Sequence, residues 1–443
     1  MGTSSSRDAA LEQASERLEE AQLRKVEQLF EKLSTSDALD RQKFKDHFSN
    51  YFPENFTDRI FNGMSNFQSG KLVESVVVKK RDFIMYASCV LKGFVNEKAE
   101  VFHKLSLLNN EQTLRSLREM CNIFLKAYIN AIKESSLGDP YMNAGFNEEG
   151  NLRFVVKLTD SIPPEKQNQF TTDDLESWLR KEVLVMRIFE EVFKACFLGA
   201  ESVLNIRKHG SIVRSDTLLP HQLKYNGHHE INTIIDIPSM LILNHAVPQD
   251  CRQNWRLLFA TSCHGKSFTT FLHRIVYQGA TILIVKDTGG YIFGGFASTS
   301  WKVKSSFKGD EHCFLFQLKP TMAIYLPTNF NENYMYLNVG MKTLPNGLGM
   351  GGQLEYFGFW LDSEFGPGHS MARPKSTTYG NPQLSSSEKF EVEEIEVWGV
   401  GTPPEQEERE RSVLDRETDA QAILDLIGKE RQSEGFREPE SED

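Results

Sequence analysis

The stretch from Ile231 to Gly401 limits the possible fold of this 443-residue chain more than any other part of it. Short apolar runs alternate there with glycine-rich turns, and after Thr281 a candidate strand follows about every ten to fifteen residues. That spacing is too short for the helical crossovers that join parallel strands, so it favours antiparallel pairing. We therefore predict a β-rich domain over residues 231–401.

Five segments of this domain carry its most specific sequence. They read, in chain order, NWRLLFATSCHGKSF (Asn254 to Phe268), TILIVKDTGGYIFGGFAS (Thr281 to Ser298), GMGGQLEYFGFWLD (Gly349 to Asp362), TTYGNPQLS (Thr377 to Ser385) and FEVEEIEVWGVG (Phe390 to Gly401). In this order and combination they resemble the TLDc domain. The resemblance implies a sandwich of two antiparallel sheets with flanking helices, for which no catalytic residues are established.

Residues 11–200 have the apolar period of helices. Four apolar residues of one predicted helix share a face: Val26, Leu29, Phe30 and Leu33. The segment Thr172–Leu198 begins with capping residues and then carries apolar side chains at helical spacing. Such short paired helices look like EF-hand packing. We predict an α+β chain with a helical EF-hand-like domain over 11–200, a linker over 201–230 and the TLDc domain after it.

The similarity of these helix pairs to EF-hands does not by itself predict calcium binding. A calcium loop of an EF-hand needs oxygen ligands at alternate positions, a central glycine and a terminal glutamate. The connector Ser34–Lys45 offers Ser36, Asp37 and Asp40 but lacks both the glycine and the glutamate. We expect neither a metal nor another cofactor to be bound.

Cysteine usage, charge and hydropathy exclude several classes of function. The six cysteines show no CxxC pair, and the chain has no secretory leader, so they are typical of reduced cytosolic thiols. Residues 402–443 hold 14 acidic and 6 basic side chains, which is −8 of the formal charge of −11, and no basic surface for nucleic acid is indicated. The apolar runs are far shorter than the roughly 18 residues of a membrane-spanning helix. The expected partners are proteins.

The segment Ala260–Ser267 reads ATSCHGKS and comes close to the phosphate-binding pattern G-x-x-x-x-G-K-[ST]. It follows an apolar strand and precedes an amphipathic helix, as a phosphate loop does. Ala260, however, stands where that pattern has its first glycine, and Lys286 separates Asp287 from its apolar strand. We expect no nucleotide site, and Lys266 is interpreted as a solvated residue at the start of a helix.

Other combinations that suggest a site are equally weak. The glycines between Asn346 and Gly352 precede an aromatic strand and not a helix, which excludes a dinucleotide loop. Cys263 with His264, or Ser267 with His273 and Asp287, contain the residue types of a nucleophile and its base, but no GxSxG elbow is present. We predict that the protein is not an enzyme and has no catalytic residues.

The N-terminus begins MGTSSSR and matches the myristoylation pattern M-G-x-x-x-[ST] at Gly2. Acylation of the α-amino group requires an unhindered glycine there. A single myristoyl chain binds membranes only marginally, and no basic cluster or nearby cysteine adds to it. We predict a myristoylated leader over residues 1–10 whose membrane residence depends on a protein partner; a polar leader without lipid is the alternative.

The last 42 residues form a separate acidic tail that begins at Thr402. Pro403 and Pro404 end the preceding strand, and Gly428 ends a predicted amphipathic helix of roughly 16 residues. Its apolar stripe contains Val413, Leu414, Ala420, Ile423, Leu424 and Ile427. Two surfaces could bind this stripe: the chain's own domain or a groove in a partner protein. We predict that it binds a partner.

The order of leader, helical region, TLDc block and tail is similar to that of an mTOR-associated lysosomal branch of the TLDc family. This resemblance implies an adaptor at the cytoplasmic face of the lysosomal membrane and in the cytoplasm. It implies binding to peripheral subunits of the V-ATPase and support of mTOR signalling toward S6 kinase. Gly2 is then the lipidation site, and Val413, Leu414, Ile423, Leu424 and Ile427 are the partner-binding residues. The alternative is protection against oxidation through a reactive thiol such as Cys263.

Overall fold

The computed structural model describes residues 10–65, 77–107, 112–135, 141, 147–202, 218–220, 222–225 and 233–404. They form two compact units, which divide near residue 214. The first unit is helical and the second is built mainly of antiparallel strands, so the predicted α+β class is confirmed.

The helical unit contains nine helices of eight or more residues within the described ranges. They are α1 (Glu20–Leu33), α2 (Arg41–Phe48), α3 (Glu54–Ser65), α4 (Lys80–Lys92), α5 (Val95–Ser106), α6 (Leu114–Glu134), α7 (Glu148–Thr159), α8 (Thr172–Lys181) and α9 (Val183–Leu198). Their shared core is rich in phenylalanine. Phe124 of α6 and Phe193 of α9 each pack against Phe189, at centroid distances of 5.1 and 4.8 Å.

The connector between α1 and α2 folds into a small antiparallel pair, β1 (Ser34–Thr35) and β2 (Ala38–Leu39). The Leu39 amide donates to the Val78 carbonyl at 2.9 Å, which ties this connector to the chain entering α4. Asp40, one of the possible calcium ligands, instead caps α2 by accepting hydrogen bonds from the amides of Gln42 and Lys43. The Asp40 carboxylate, which the sequence suggested as a calcium ligand, therefore caps the N-terminus of α2.

The second unit is a sheet of 12 strands with helices beside it. The strands are β3 (Gln222–Lys224), β4 (Asn254–Ala260), β5 (Thr281–Asp287), β6 (Ile292–Ala297), β7 (Lys304–Lys308), β8 (Phe314–Lys319), β9 (Ala323–Tyr325), β10 (Met335–Asn338), β11 (Gly347–Gln353), β12 (Tyr356–Asp362), β13 (Pro367–His369) and β14 (Lys389–Val400). The helices are α10 (Ile237–Ala246), α11 (Thr261–His264) and α12 (Phe268–Ile275). Within the described strands β3 and β4 pair in parallel, and the path from β7 to β9 is antiparallel.

The long strand β14 joins the two halves of this unit. Its first residues pair with β13, and the rest pair with β5 and β4. The strand pairing is therefore continuous, where the sequence comparison implied two separate sheets. One apolar core nevertheless receives residues from both halves, among them Leu283 and Leu315 from one and Met350 and Phe359 from the other.

Two glycines lie where a side chain would collide with the core. A Cβ atom on Gly294 of β6 would lie 1.9 Å from the Leu283 carbonyl oxygen, and one on Gly295 would lie 2.4 Å from the Met350 sulfur. The GG pair thus permits close packing of β6 against its neighbours. No helix among the described residues combines the length and the hydropathy needed to cross a membrane.

Candidate functional site

The residues predicted to bind lipid and partner lie outside the described ranges. This holds for Gly2 in the leader and for Val413, Leu414, Ile423, Leu424 and Ile427 in the tail. Their assignment remains a prediction. The other candidate residues, among them Cys263, Ser267 and Asp287, lie within the described ranges.

The pair Cys263 and His264 lies on the short helix α11, directly after β4. The Cys263 thiol is half-buried, and its near neighbour is the Ser262 hydroxyl at 3.8 Å. His264 turns back instead, where its Nδ1 accepts a hydrogen bond of 3.0 Å from the Ala260 amide and its ring stacks on Phe259. An imidazole nitrogen that accepts a backbone hydrogen bond is not available to deprotonate the neighbouring thiol.

The segment that resembles a phosphate loop has its polar groups committed to the backbone. Lys266 Nζ donates to the Val392 carbonyl at 3.0 Å. Ser267 Oγ accepts a hydrogen bond from the Thr270 amide and so caps α12. The loop runs from β4 into α12 as predicted, but β4 pairs with β14 in antiparallel fashion, unlike the parallel sheet of phosphate-loop enzymes.

Asp287 and the glycine-rich strand β11 also have structural roles. The buried Asp287 carboxylate accepts hydrogen bonds from the Tyr291 amide at 2.9 Å and the Ser386 amide at 2.8 Å. It holds the β5–β6 turn, while His273 is exposed on α12. In β11 a Cβ atom on Gly349 would lie within 2.8 Å of the rings of Phe357 and Trp360. These glycines therefore give room to aromatic rings.

A second thiol, Cys313, lies in a polar cluster that spacing alone did not reveal. Its Sγ accepts a hydrogen bond from the Ser298 amide at 3.4 Å, and Ser298 Oγ donates to Asp310 at 2.7 Å. Asp310 also contacts His312 Nδ1 at 3.2 Å. Burial raises the pKa of the Cys313 thiol, and the side chain is fully covered. The cluster therefore has the residue types of a thiol site, but its thiol is inaccessible and disfavoured as a thiolate.

Metal binding finds no support in the part of the chain that the structure covers. No group of three or more histidine, cysteine or acidic side chains lies close enough to hold an ion there. All six cysteines fall within the covered ranges and are free; five are buried and Cys263 is the exception.

Glu396 is a functional-site candidate that sequence reasoning missed. It is fully buried on β14, where it accepts hydrogen bonds from Thr233 Oγ at 2.6 Å, the Ile234 amide at 2.9 Å and Trp398 Nε1 at 3.0 Å. Burial raises its pKa to about 7, and the three hydrogen bonds oppose that rise. The sequence gives one weak signal for it: Glu396 stands between the apolar residues Ile395 and Val397. Glu396 fastens the segment that enters α10 to the sheet.

The second missed feature is a group of exposed apolar side chains on two loops. Leu326 and Phe330 lie between β9 and β10, and Leu354 and Tyr356 lie at the β11–β12 hairpin; we name these four residues the apolar platform. Their exposed fractions are 63, 78, 38 and 55% respectively. Neighbouring exposed apolar side chains are a feature of interaction surfaces, because their burial in a partner contributes to binding.

A buried threonine holds the two loops of the platform together. Thr378 Oγ donates to Asn331 Oδ1 at 2.7 Å and accepts from the Gly352 amide at 2.8 Å. Asn333 Nδ2 donates to the Gly352 carbonyl at 2.8 Å, and the Thr328 amide donates to the Thr378 carbonyl. These bonds order the loops before any partner arrives, which lowers the entropic cost of binding.

Comparison with known proteins is consistent with this architecture. Residues 229–401 match the TLDc domain. The chain is 36% identical over 444 residues to MTOR-associated protein MEAK7 of Xenopus laevis, covering 94% of this chain and 95% of that protein. It is 33% identical to the Homo sapiens protein of the same name over 93% of this chain and 94% of that protein. Oxidation resistance protein 1 of Rattus norvegicus is 30% identical over 35% of this chain and 18% of its own length.

The similarity to the MEAK7 proteins thus extends through the helical unit as well as the TLDc domain. The match to Oxidation resistance protein 1 spans 158 residues, about the length of the TLDc domain. The chain therefore belongs to the family of TLDc-domain proteins.

Proposed function

We propose that this chain is an adaptor at the cytoplasmic surface of the lysosome that supports mTOR signalling toward S6 kinase. The observation that carries this proposal is the similarity, over more than nine-tenths of both chains, to proteins named for their association with mTOR. Similarity confined to the TLDc domain would favour no branch of the family. Its presence in the helical unit too favours a role like that of MEAK7.

Binding to peripheral subunits of the V-ATPase is the proposed means of docking. The apolar stripe of residues 413–427 supplies an amphipathic ligand for a groove in such a subunit. Myristate on Gly2 adds a weak, reversible attachment to the lysosomal membrane. Two weak contacts on one chain raise the effective concentration of each for its target.

We also propose that the protein works without catalysing a reaction. This is supported by the use of its candidate groups in the backbone framework, since His264, Ser267 and Asp287 each accept hydrogen bonds from main-chain amides. Thus the groups that chemistry would require are already part of the fold.

A fractionation experiment tests the lipid part of this proposal. Cells expressing wild type, Gly2→Ala and the matched control Thr3→Ala are separated into lysosomal and cytosolic fractions, and S6 kinase phosphorylation is measured. We expect Gly2→Ala to leave the lysosomal fraction and to reduce phosphorylation, while Thr3→Ala resembles wild type. Equal lysosomal content of Gly2→Ala and wild type would contradict the assignment of Gly2.

Protection against oxidation is the second candidate function. It is favoured by the similarity to Oxidation resistance protein 1 and by the partial exposure of Cys263, the least buried of the six thiols. If this function holds, Cys263→Ser abolishes the survival of peroxide-treated cells that wild type confers, and Ser262→Ala does not. Unchanged survival with Cys263→Ser would remove this thiol from consideration.

Two finer features of the fold belong with these proposals. The bond between Leu39 and Val78 supports EF-hand-like pairing of the first four helices, because paired EF-hand loops meet in such a bridge. Calorimetric titration with calcium is nevertheless expected to show no binding, because Asp40 caps α2 and the Ser34–Lys45 connector lacks the glycine and the glutamate of a calcium loop. The shared core supports a two-layer sandwich, which predicts a nuclear Overhauser contact between the methyl groups of Leu315 and Met350. A calcium-binding isotherm would contradict the expected absence of calcium binding, and absence of the Leu315–Met350 contact would contradict the sandwich.

A further inference from the structure

The apolar platform has the properties of a docking surface in a free chain. Its loops are fixed by the hydrogen bonds of Thr378, and its side chains are exposed by between 38 and 78%. The two loops carry Glu332 and Glu355, and of the two basic residues in the adjoining segment, Arg373 and Lys375, the first is already paired with Glu388, so these loops present no excess of positive charge to an acidic ligand. A ligand for this surface is therefore selected by apolar contact and not by charge.

The described chain ends at the same side of the sheet. Pro404 lies beside Gly279, whose added Cβ atom would be 3.2 Å from the proline ring, and Gly279 leads into β5. Four residues form one row across the sheet, from the end of β9 to the start of β5. They are Tyr325, Leu315, Gly295 and Leu283, each paired with the next. The chain thus leaves β9 toward Leu326 at the end of the sheet where the acidic tail begins.

The connection is long enough to bring the tail to the end of β9, where the chain continues into the loop of Leu326 and Phe330. Strands β5 and β9 are three strand spacings apart, which amounts to about 14 Å. Residues 405–412 lie between Pro404 and the apolar stripe, and eight extended residues span up to about 26 Å. A tether of this length holds its segment at a high effective concentration near the platform.

We propose that residues 413–427 of the tail dock in cis on the apolar platform. The stripe that includes Leu424 and Ile427 covers Phe330 and Tyr356, and the acidic face of the segment remains in solvent. A partner that binds the stripe must then displace it from the platform, so the contact is autoinhibitory. It concerns the isolated chain and does not depend on which partner the adaptor binds.

Hydrogen–deuterium exchange of the full chain tests this contact. Amides of residues 413–427 are expected to exchange more slowly in the full chain than in a synthetic peptide of residues 405–443. Phe330→Asp should speed their exchange at least about fivefold, since an exposed aromatic anchor contributes that much to a contact. Phe330 is 78% exposed, so its substitution leaves the core intact. Met341→Asp is the control, because Met341 is also exposed but follows the other end of β10.

The outcomes separate this proposal from its competitors. Protection that is lost in Phe330→Asp, retained in Met341→Asp, independent of protein concentration and stable in high salt supports docking in cis. Equal exchange in chain and peptide, or protection unaffected by Phe330→Asp, overturns it. Protection that increases with concentration also overturns it, because a second copy then provides the surface. The exchange experiment contains no partner protein. Its result therefore tests docking in cis separately from the proposed binding to the V-ATPase.

Discussion

At the scale of single residues, the buried carboxylate of Glu396 has the largest predicted effect on stability. It lies among three hydrogen-bond donors with no cation among them, and burial raises its pKa from an ordinary 4.5 to about 7. The folded state therefore retains a proton between these values that the unfolded chain has already released. Stability from this residue is fully present below pH 4.5 and is lost as pH rises through 7.

The Glu396→Gln variant measures that pH dependence. The interval from 4.5 to about 7 corresponds to roughly 3 kcal/mol. Between pH 4.5 and 8, the free energy of unfolding of wild type should fall by about that much more than that of Glu396→Gln. Urea titrations followed by tryptophan fluorescence supply both values. A difference between the two proteins that does not change with pH would refute the buried-carboxylate account.

Gly294 provides a second test at this scale. An alanine methyl there would lie 1.9 Å from the Leu283 carbonyl oxygen, a backbone atom of the neighbouring strand. Gly294→Ala should destabilise the β unit by about 1–3 kcal/mol, the usual range for an overpacked core. Gly366→Ala is the control, since the nearest atom to its added methyl is the end of the Glu391 side chain at 3.3 Å. Equal unfolding midpoints for the two variants would show that Gly294 is not tightly packed.

Residue-level prediction from the sequence succeeded where local geometry alone decides. The glycines of β11 are an example, since the sequence places an aromatic strand and not a helix after them and so excludes a dinucleotide loop. The role of Glu396 did not follow, since its partners at Thr233 and Ile234 lie about 160 residues earlier in the chain. Likewise, no local pattern indicates that Thr378 joins two loops.

At the scale of elements, helix α12 shows how a sequence like a phosphate loop can serve as a helix start. Phe268, Phe271, Leu272 and Ile275 are all buried, as their spacing predicted. Ser267 caps the helix, and Gly279 has the positive φ of 81° expected at a turn after it. The segment therefore needs no ligand to explain its residues.

Removing the cap tests this interpretation of α12. Ser267→Ala should lower the free energy of unfolding of the β unit by about 1 kcal/mol, because the Thr270 amide loses its acceptor. Ser267→Asp retains an acceptor and should approach wild-type stability. Chemical denaturation gives both values, and a fluorescent ATP analogue should bind none of the three proteins. Saturable binding lost in Ser267→Ala would instead indicate a nucleotide site.

Element types were easier to predict than their pairing. The strands β4 and β5 and the long helices were evident from period and capping. The continuity of the sheet was not, because it depends on β14 changing partners along its length, from β13 to β5 and β4. Short exposed strands such as β7 carry no apolar alternation that would indicate them.

At the scale of the whole molecule, the proposed functional residues lie apart from the residues that resemble catalytic or nucleotide-binding motifs. Cys263, Lys266 and the glycines of β11 belong to the folded TLDc domain. The proposed contacts instead involve Gly2, the tail stripe and the apolar platform. This division agrees with similarity that extends along nearly the whole length of the MEAK7 proteins.

Capture of the V-ATPase by the full chain tests the central claim most directly. Wild type, Leu424→Asp in the stripe and Thr418→Asp, which lies about 120° or more around the predicted helix from Ile423, Leu424 and Ile427, are incubated with detergent-solubilised lysosomal membranes, and peripheral subunits are quantified. Leu424→Asp should reduce capture by about tenfold or more, as loss of an apolar anchor does, while Thr418→Asp captures as much as wild type. Equal capture by all three proteins would contradict the claim that this chain binds its partner through the tail.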